Sequence, residues 1–275
     1  ESYYVFDIWY NNATNIDPHI LTGDMHSINK CNFAILHCFG KEFKPRFTNL
    51  NNELKNICGS SDLEKYSKYK IAPTKLVDRD VIIDSADEIT QILGTLALKD
   101  INQANLIKKL CNLPPENKYR KGIFELDKLI RSIYTLEYMI DFDLQKKVHK
   151  SQNKIEEYHK LRAIIARVGG RKKLYGKTAL DIEVSNQCGR LVANAIIYYN
   201  SLILSGIIEA NKQNKNFNKI ARKLRKISPI AWQHIHFLGQ YTFKGNDNTI
   251  DINEILKTIA WDFEFNSGNH DKIGL

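Results

Sequence analysis

The chain has 275 residues, 43% of them hydrophobic and 26% charged, enough apolar material to bury a sizeable core in one large domain or two smaller ones. No stretch reaches the ~18 to 20 uninterrupted apolar residues of a membrane helix, and the opening E-S-Y-Y-V-F-D lacks the basic-then-apolar layout of a secretion signal, so the sequence predicts a cytoplasmic protein with no membrane partner. Its 40 lysines and arginines against 31 acids give a formal charge of +9, which favours a polyanionic partner, nucleic acid before acidic protein surfaces.

From the N-terminus, S-Y-Y-V-F-D-I-W-Y places apolar residues at helical spacing and stops at Asn11-Asn12. P-H-I-L-T-G-D follows as a short strand with Asp24 at its end, and a helix is expected from His26-Ser27 to Gly40. K-E-F-K-P-R-F alternates apolar and basic residues as a short strand would, with Pro45 confining it to an edge or a terminus. Residues 48–75 are polar and read as irregular. Between Asp78 and Ile140 the pattern predicts three helices, broken at Lys99-Asp100 and at Pro114-Pro115. A long helix is expected from Asp143 to Val168, ending at Gly169-Gly170, then a basic loop and a second long helix from Ala179 to Ile208. That second helix is interrupted by Asn194 and Asn200 and reads as too short and polar to span a membrane, so a buried core helix is expected. A basic helix near 213–226 and a loosely ordered tail from Gly239 complete the chain.

Two acidic residues stand out by position. Asp24 lies at the carboxyl end of a predicted strand, where open α/β sheets place ligand groups, yet an Asp just before a helix is also an ordinary N-cap. Glu156 lies midway along the first long helix, on a polar face shared with Gln152, Asn153, His159 and Lys160; a solvated stripe of ion pairs would look the same. The five cysteines and the histidines have no metal-ligand spacing, and no phosphate-binding glycine loop, dinucleotide fingerprint or G-x-S-x-G elbow occurs. Trp232, Tyr241 and Phe243 read as packing residues that could alternatively stack on a base.

Several strings in order, T-G-D-M-H-S-I-N-K-C-N-F-A-I-L, K-P-R-F-T-N-L, R-S-I-Y-T-L-E-Y-M-I-D-F-D-L-Q-K-K-V, N-K-I-E-E-Y-H-K-L-R-A-I, C-G-R-L-V-A-N-A-I-I-Y-Y-N and L-R-K-I-S-P-I-A-W-Q-H-I-H-F-L-G-Q-Y-T-F, resemble Tn3-family transposases over about residues 1–243. The resemblance implies a mostly α fold with a small α/β part: a partial RNase H-like fold around Asp24 and the glutamate helix, with an inserted helical subdomain in the 131 residues between Asp24 and Glu156. The corresponding segments are 1–50 for the partial core, 51–142 for the insertion, 143–238 for the glutamate helix and C-terminal helices, and 239–275 for the tail. Asp24 matches the second carboxylate of the family's Asp-Asp-Glu triad and Glu156 the third, both as catalytic metal ligands. Ile155 stands where the family often has glycine and Glu157 where it often has alanine, which leaves Glu157 open as a competing ligand.

The triad holds two magnesium or manganese ions, and carboxylates suit them as hard oxygen donors. No residue upstream of Asp24 has the context of the first aspartate, so the chain is expected to be inactive alone and to cut and join transposon ends only within a full-length protein. Implied partners are double-stranded DNA, as terminal inverted repeats and target, and a second copy in a homodimer in the bacterial nucleoid. Lys44, Arg46, Lys154, Lys160, Arg162, Arg171, Lys172 and Lys173 are the candidate phosphate contacts, although any one of them alone reads as a surface charge. The alternatives are a non-catalytic DNA-binding or transposase-interacting module and a helical structural module.

Overall fold

The computed structural model describes residues 1–99, 101–168 and 176–240, together with Ile255 and Lys257. These are mostly helical, as expected, and divide into two compact units, Glu1–Gln152 and Asn153–Leu275.

The first unit opens with a 3-10 turn at Ser2–Tyr4 running into α1 (Val5–Tyr10), followed by strand β1 (Ile20–Leu21). A 3-10 turn at Met25–Ser27 and α2 (Asn32–Cys38) lead to strand β2 (Glu42–Phe43). β1 and β2 run parallel, with Ile20 opposite Glu42 and Leu21 opposite Phe43. Helices α4 (Arg79–Asp84), α5 (Ala86–Leu98), α6 (Gln103–Cys111) and α7 (Lys118–Ile140) come later in the unit, after α3 (Leu50–Leu54). Asp78, Asn102 and Asn117 cap α4, α6 and α7 through side-chain oxygens that accept backbone N–H groups, the ordinary solution for the free amides of a helix start.

Two readings of this region are corrected. Residues 48–75 are not simply irregular: besides α3 they hold a 3-10 turn at Leu63–Tyr66 and the parallel strands β3 (Cys58–Gly59) and β4 (Lys75–Leu76). Four helices, not three, lie between Asp78 and Ile140, because the chain bends at Ser85 between α4 and α5. The bend has a packing cause. Ser85 is buried against α7 at Gly122, where a Cβ would lie 2.4 Å from the Ser85 Cβ, so only glycine permits the approach.

α7 is the spine of this unit. Its inward residues meet elements far back in the chain: Arg131 donates through Nε (3.0 Å) and Nη2 (2.6 Å) to the buried Glu53 of α3, Ser132 Oγ accepts from Cys58 N–H, and Tyr134 Oη donates to the Pro45 carbonyl at 2.5 Å. Tyr134 and Tyr138 pack with Phe33 and Phe47 at ring separations of 5.2–5.7 Å, extending a core that includes Phe6, Ile35, Leu36, Leu96, Ile107 and Ile123. Asp127 is buried in the same surface, and its Oδ1 accepts the backbone N–H of Ala34 in the first turn of α2 at 3.1 Å. All five cysteines are free thiols.

Helix α8 (Phe142–Arg167) carries the chain into the second unit, which also holds α9 (Ala179–Ala210) and α10 (Phe217–Leu224). Thr178 and Asp181 form a reciprocal capping box at the start of α9. Leu161, Ala193 and Ile196 make one small core with Trp232 packed against it, and Ile207, Ile220 and Leu224 make another. Asn200 is buried on α9 and donates to the carbonyls of Pro229 (2.8 Å) and Ala231 (2.7 Å), fixing the segment after α10. α9 corrects the sequence reading in two respects. It has 32 residues, with a window of mean hydropathy 1.7, so by length and composition it could cross a bilayer, and only 22% of that window is buried. The helix end expected at Gly169-Gly170 and, apart from Ile255 and Lys257, the tail beyond Gln240, including Tyr241 and Phe243, lie outside the described residues.

Burial pushes the Asp127 carboxyl up from 3.8 to about 7, against the opposing pull of the Ala34 N–H, Arg131 and the Phe33 N–H. The folded state therefore retains a proton that the unfolded chain releases between about pH 4 and pH 7, and stability falls as pH rises through that window. Asp127→Asn keeps an oxygen for Ala34 and removes the titration. Thermal melting followed across this range should show a steeper decline for the parent than for the variant; parallel declines would contradict the linkage.

Candidate catalytic carboxylates

The parallel ladder continues past the two-residue strands, because the amides of Glu42, Lys44 and Arg46 donate to the carbonyls of His19, Leu21 and Gly23 at 2.8–3.0 Å. Thr22 Oγ1 adds a bond to the Lys44 carbonyl at 2.8 Å. This ladder delivers Asp24 at the carboxyl end of β1, as its sequence position predicted. Its Oδ1 accepts the N–H groups of His26 (2.9 Å) and Ser27 (3.2 Å), and Ser27 Oγ donates to the Asp24 carbonyl at 2.5 Å. Asp24 is thus the N-cap of the 3-10 turn, half-buried, with its carboxylate direction fixed by main-chain donors.

The turn is short because the next residues take over the backbone. Asn29 Oδ1 accepts the amides of Cys31 and Asn32 and so starts α2, while the buried Asn32 donates to the carbonyls of Ser2 and Ser27. The helix expected from His26 is therefore a 3-10 turn, a pinned loop and then α2. The sequence reading missed Asn29, Asn32 and Asp127 as positioning residues. The two asparagines in I-N-K-C-N carried a capping signal, whereas Asp127, 93 residues from its partner, left none.

Lys44 is held between Glu42 and Glu137, at 2.6 Å from each. Burial works against its charge, but the two carboxylates outweigh it and raise the ammonium above its ordinary value. The Lys44 charge is therefore already matched within the first unit. Arg46 lies half-buried beside Gly23 on the same ladder.

In the second unit Glu156 is exposed on α8, as are Glu157, His159, Lys154 and Lys160. At 3.6 residues per turn Lys160 stands roughly 40° around the helix from Glu156, and Lys154 roughly 160° away, so Lys160 is the cation that shares its face. Arg162 points elsewhere: its Nη2 donates to the Asn186 carbonyl (3.0 Å) and Oδ1 (2.7 Å), locking α8 to α9. Arg171, Lys172 and Lys173 lie outside the described residues.

Among the described residues no group of three or more His, Cys, Asp or Glu side chains is placed to hold a metal ion. The donor chemistry nonetheless suits a hard divalent cation at Asp24. Its carboxylate is oriented by two amides through Oδ1, and Oδ2 has no hydrogen bond among the described residues.

A half-buried carboxylate at the end of a parallel strand, in a helix-rich basic chain, is an arrangement suited to acidic-residue chemistry on a polyanion. Comparison with known proteins gives the family: the model for the Tn3 transposase DDE domain matches residues 1–241, and the chain belongs to that family. It is similar to the transposase of transposon Tn1546 from Enterococcus faecium, 24% identical over 92% of this chain and 26% of that protein. It is also similar to the Escherichia coli transposases of Tn2501, at 26% identity over 78% of this chain and 21% of that protein, and of gamma-delta, at 23% over 88% and 24%. The chain thus spans about a quarter of the length of the curated relatives it matches. No solved structure matches.

Gly23 makes the Asp24 turn possible, since a Cβ there would lie 2.4 Å from Ser27 Oγ and 2.7 Å from Ser27 Cβ. Gly23→Ala should therefore cost about 1–3 kcal/mol in urea unfolding. The Gly23→Ala/Ser27→Gly double variant should recover part of that loss, giving a non-additive cycle; simple additivity would show that the turn is not the source.

Proposed function

We propose that this chain is the part of a DNA transposase that supplies two of the carboxylates of a metal-dependent strand-cleavage and strand-transfer site, Asp24 and Glu156. The observation that carries the reading is the Asp24 carboxylate, aimed by two backbone amides at the carboxyl end of a parallel strand, in a chain of the Tn3 transposase DDE family. Under this reading β1, β2 and α2 belong to an RNase H-like core, α4 to α7 form a helical insertion, and α8 presents the glutamate.

Asp24 and Glu156 would hold magnesium or manganese, which when bound activates the attacking oxygen and stabilises the leaving one. The protein's own contribution is orientation. The main-chain donors to Oδ1 set the direction of the Asp24 carboxylate before any DNA arrives, and Gly23 and Ser27 keep that turn tight. Lys160 and Arg46 are the cations best placed to meet phosphates beside the two carboxylates, Lys160 on the Glu156 face of α8 and Arg46 on the Asp24 ladder, whereas Lys44 and Arg162 serve the fold. Two carboxylates leave a two-metal site one ligand short, so cutting at terminal inverted repeats is assigned to the full-length transposase, acting in the cytoplasm as a homodimer.

A second reading, a DNA-binding or transposase-interacting module that does not cut, is supported by the ordinary N-cap role of Asp24, whose Oδ1 accepts two main-chain amides.

Cleavage of terminal-repeat DNA by the full-length protein separates the two. Asp24→Asn and Glu156→Gln should each lower metal-dependent cleavage by more than ~100-fold, the upper end of what loss of an outer-shell partner costs, while duplex binding in EDTA stays unchanged. Parental cleavage by Glu156→Gln would overturn the assignment of that residue, and parental cleavage by both would favour the second reading.

A further inference from the structure

The second unit carries a charged surface that the two carboxylates do not account for. No acidic residue occurs between Glu209 and Asp247, yet seven lysines and arginines fall within 212–226. α10 (Phe217–Leu224) organises them. Ile220 and Leu224 turn inward onto Ile203, Leu204 and Ile207 of α9, which fixes the rotation of the helix. Lys219, Arg222 and Lys223 are left exposed on the other side, and Lys226 joins them one turn later, its N–H donating to the Lys223 carbonyl at 3.0 Å. At 3.6 residues per turn Lys219, Arg222 and Lys223 fall within a stripe roughly 100° wide, and Lys226 follows in the turn after the helix.

None of these four cations has an ion-pair partner among the described residues, whereas Lys212, ahead of the helix, is paired with Glu209. Lys219 and Lys223, and Arg222 and Lys226, are like-charge pairs four residues apart whose repulsion an anion lying across them relieves. The stripe runs ~10 Å, a length over which duplex DNA presents about six phosphate charges. The helix has no exposed aromatic side chain to stack on bases, so its cations suit the backbone of a duplex rather than unpaired bases.

We propose that Lys219, Arg222, Lys223 and Lys226 form a second DNA-binding surface, a sequence-independent rail for the phosphate backbone of a duplex. It rests on the reading above only in taking DNA as the partner; it does not depend on either carboxylate. The rail holds duplex by neutralising phosphates and releasing their counterions, so its mark is the salt dependence of binding.

The test is fluorescence anisotropy of a short labelled duplex of arbitrary sequence, titrated with this chain in EDTA at several salt concentrations. Replacing all four residues with glutamine should reduce the slope of log K against log salt by about 3 to 4, at roughly 0.9 for each phosphate no longer neutralised, and weaken binding at low salt at least ~10-fold. All four side chains are exposed, so circular dichroism should match the parent and melting should be no lower than the parent's. A control of equal charge, with Lys65, Lys68, Lys70 and Lys75 replaced by glutamine, should keep the parental slope. The proposal is overturned if the control loses as much as the rail variant, if the rail variant binds like the parent, if the parent does not bind duplex, or if polyglutamate or single-stranded RNA of equal charge displaces the duplex as well as unlabelled duplex does. Failure of the cleavage reading would be seen separately, as parental cutting by the Asp24→Asn and Glu156→Gln variants, and would leave this result standing.

Discussion

Asp127 lies in the middle of α7, inside the protein, with the first turn of α2 aimed at it. Its Oδ1 accepts the Ala34 N–H, one of the amides a helix start leaves without an internal partner, so a helix more than ninety residues away in sequence is capped from the core as well as by its own neighbour Asn29. The rest of the first unit depends on this arrangement. With α2 seated on α7, Phe33 and Leu36 fill the core, Asn32 ties the helix back to Ser2 and Ser27, and the 3-10 turn that Asp24 caps is held from its far side. The carboxylate proposed to bind metal is therefore placed by a chain of contacts that ends at a buried carboxyl on another helix.

The long amphipathic helices were legible because their periodicity is a property of the local sequence. α7, α8 and α9 lie within a few residues of their expected bounds, as do β1 and the position of Asp24. What was not legible depends on partners distant in sequence. Strand β3 is anchored by Ser132 of α7, and the break at Ser85 exists because Gly122 lets it approach; neither a proline nor a glycine marks the spot in V-I-I-D-S-A-D. The same holds at the site. Asp24 could be read either as an N-cap or as a ligand, and the structure shows the cap without forcing a choice, since Oδ1 takes the amides and Oδ2 does not. Of the two carboxylates that hold Lys44, Glu42 stands two residues away in the sequence, whereas Glu137 is 93 residues away and could not be seen beside it.

The two units are stabilised differently. The first has a continuous core of aromatic and aliphatic side chains, with a half-buried ion pair at its edge, Arg131 with the buried Glu53. The second relies on small apolar clusters along α8, α9 and α10, together with polar clamps: Arg162 on Asn186, and Asn200 on two carbonyls. Such clamps are directional, so they define the placement of a segment where the buried area is small.

The reach of α7 also has a consequence in time. Pro45, Glu53 and Ala34 meet their partners on this helix 78 to 93 residues further along the chain. During synthesis at about 5–20 residues per second, the first fifty residues would wait roughly 5 to 20 s for the helix that completes their core. Over that interval Phe33 and Phe47 have no Tyr134 or Tyr138 to pack against, and the nascent segment presents apolar rings of the kind a chaperone binds.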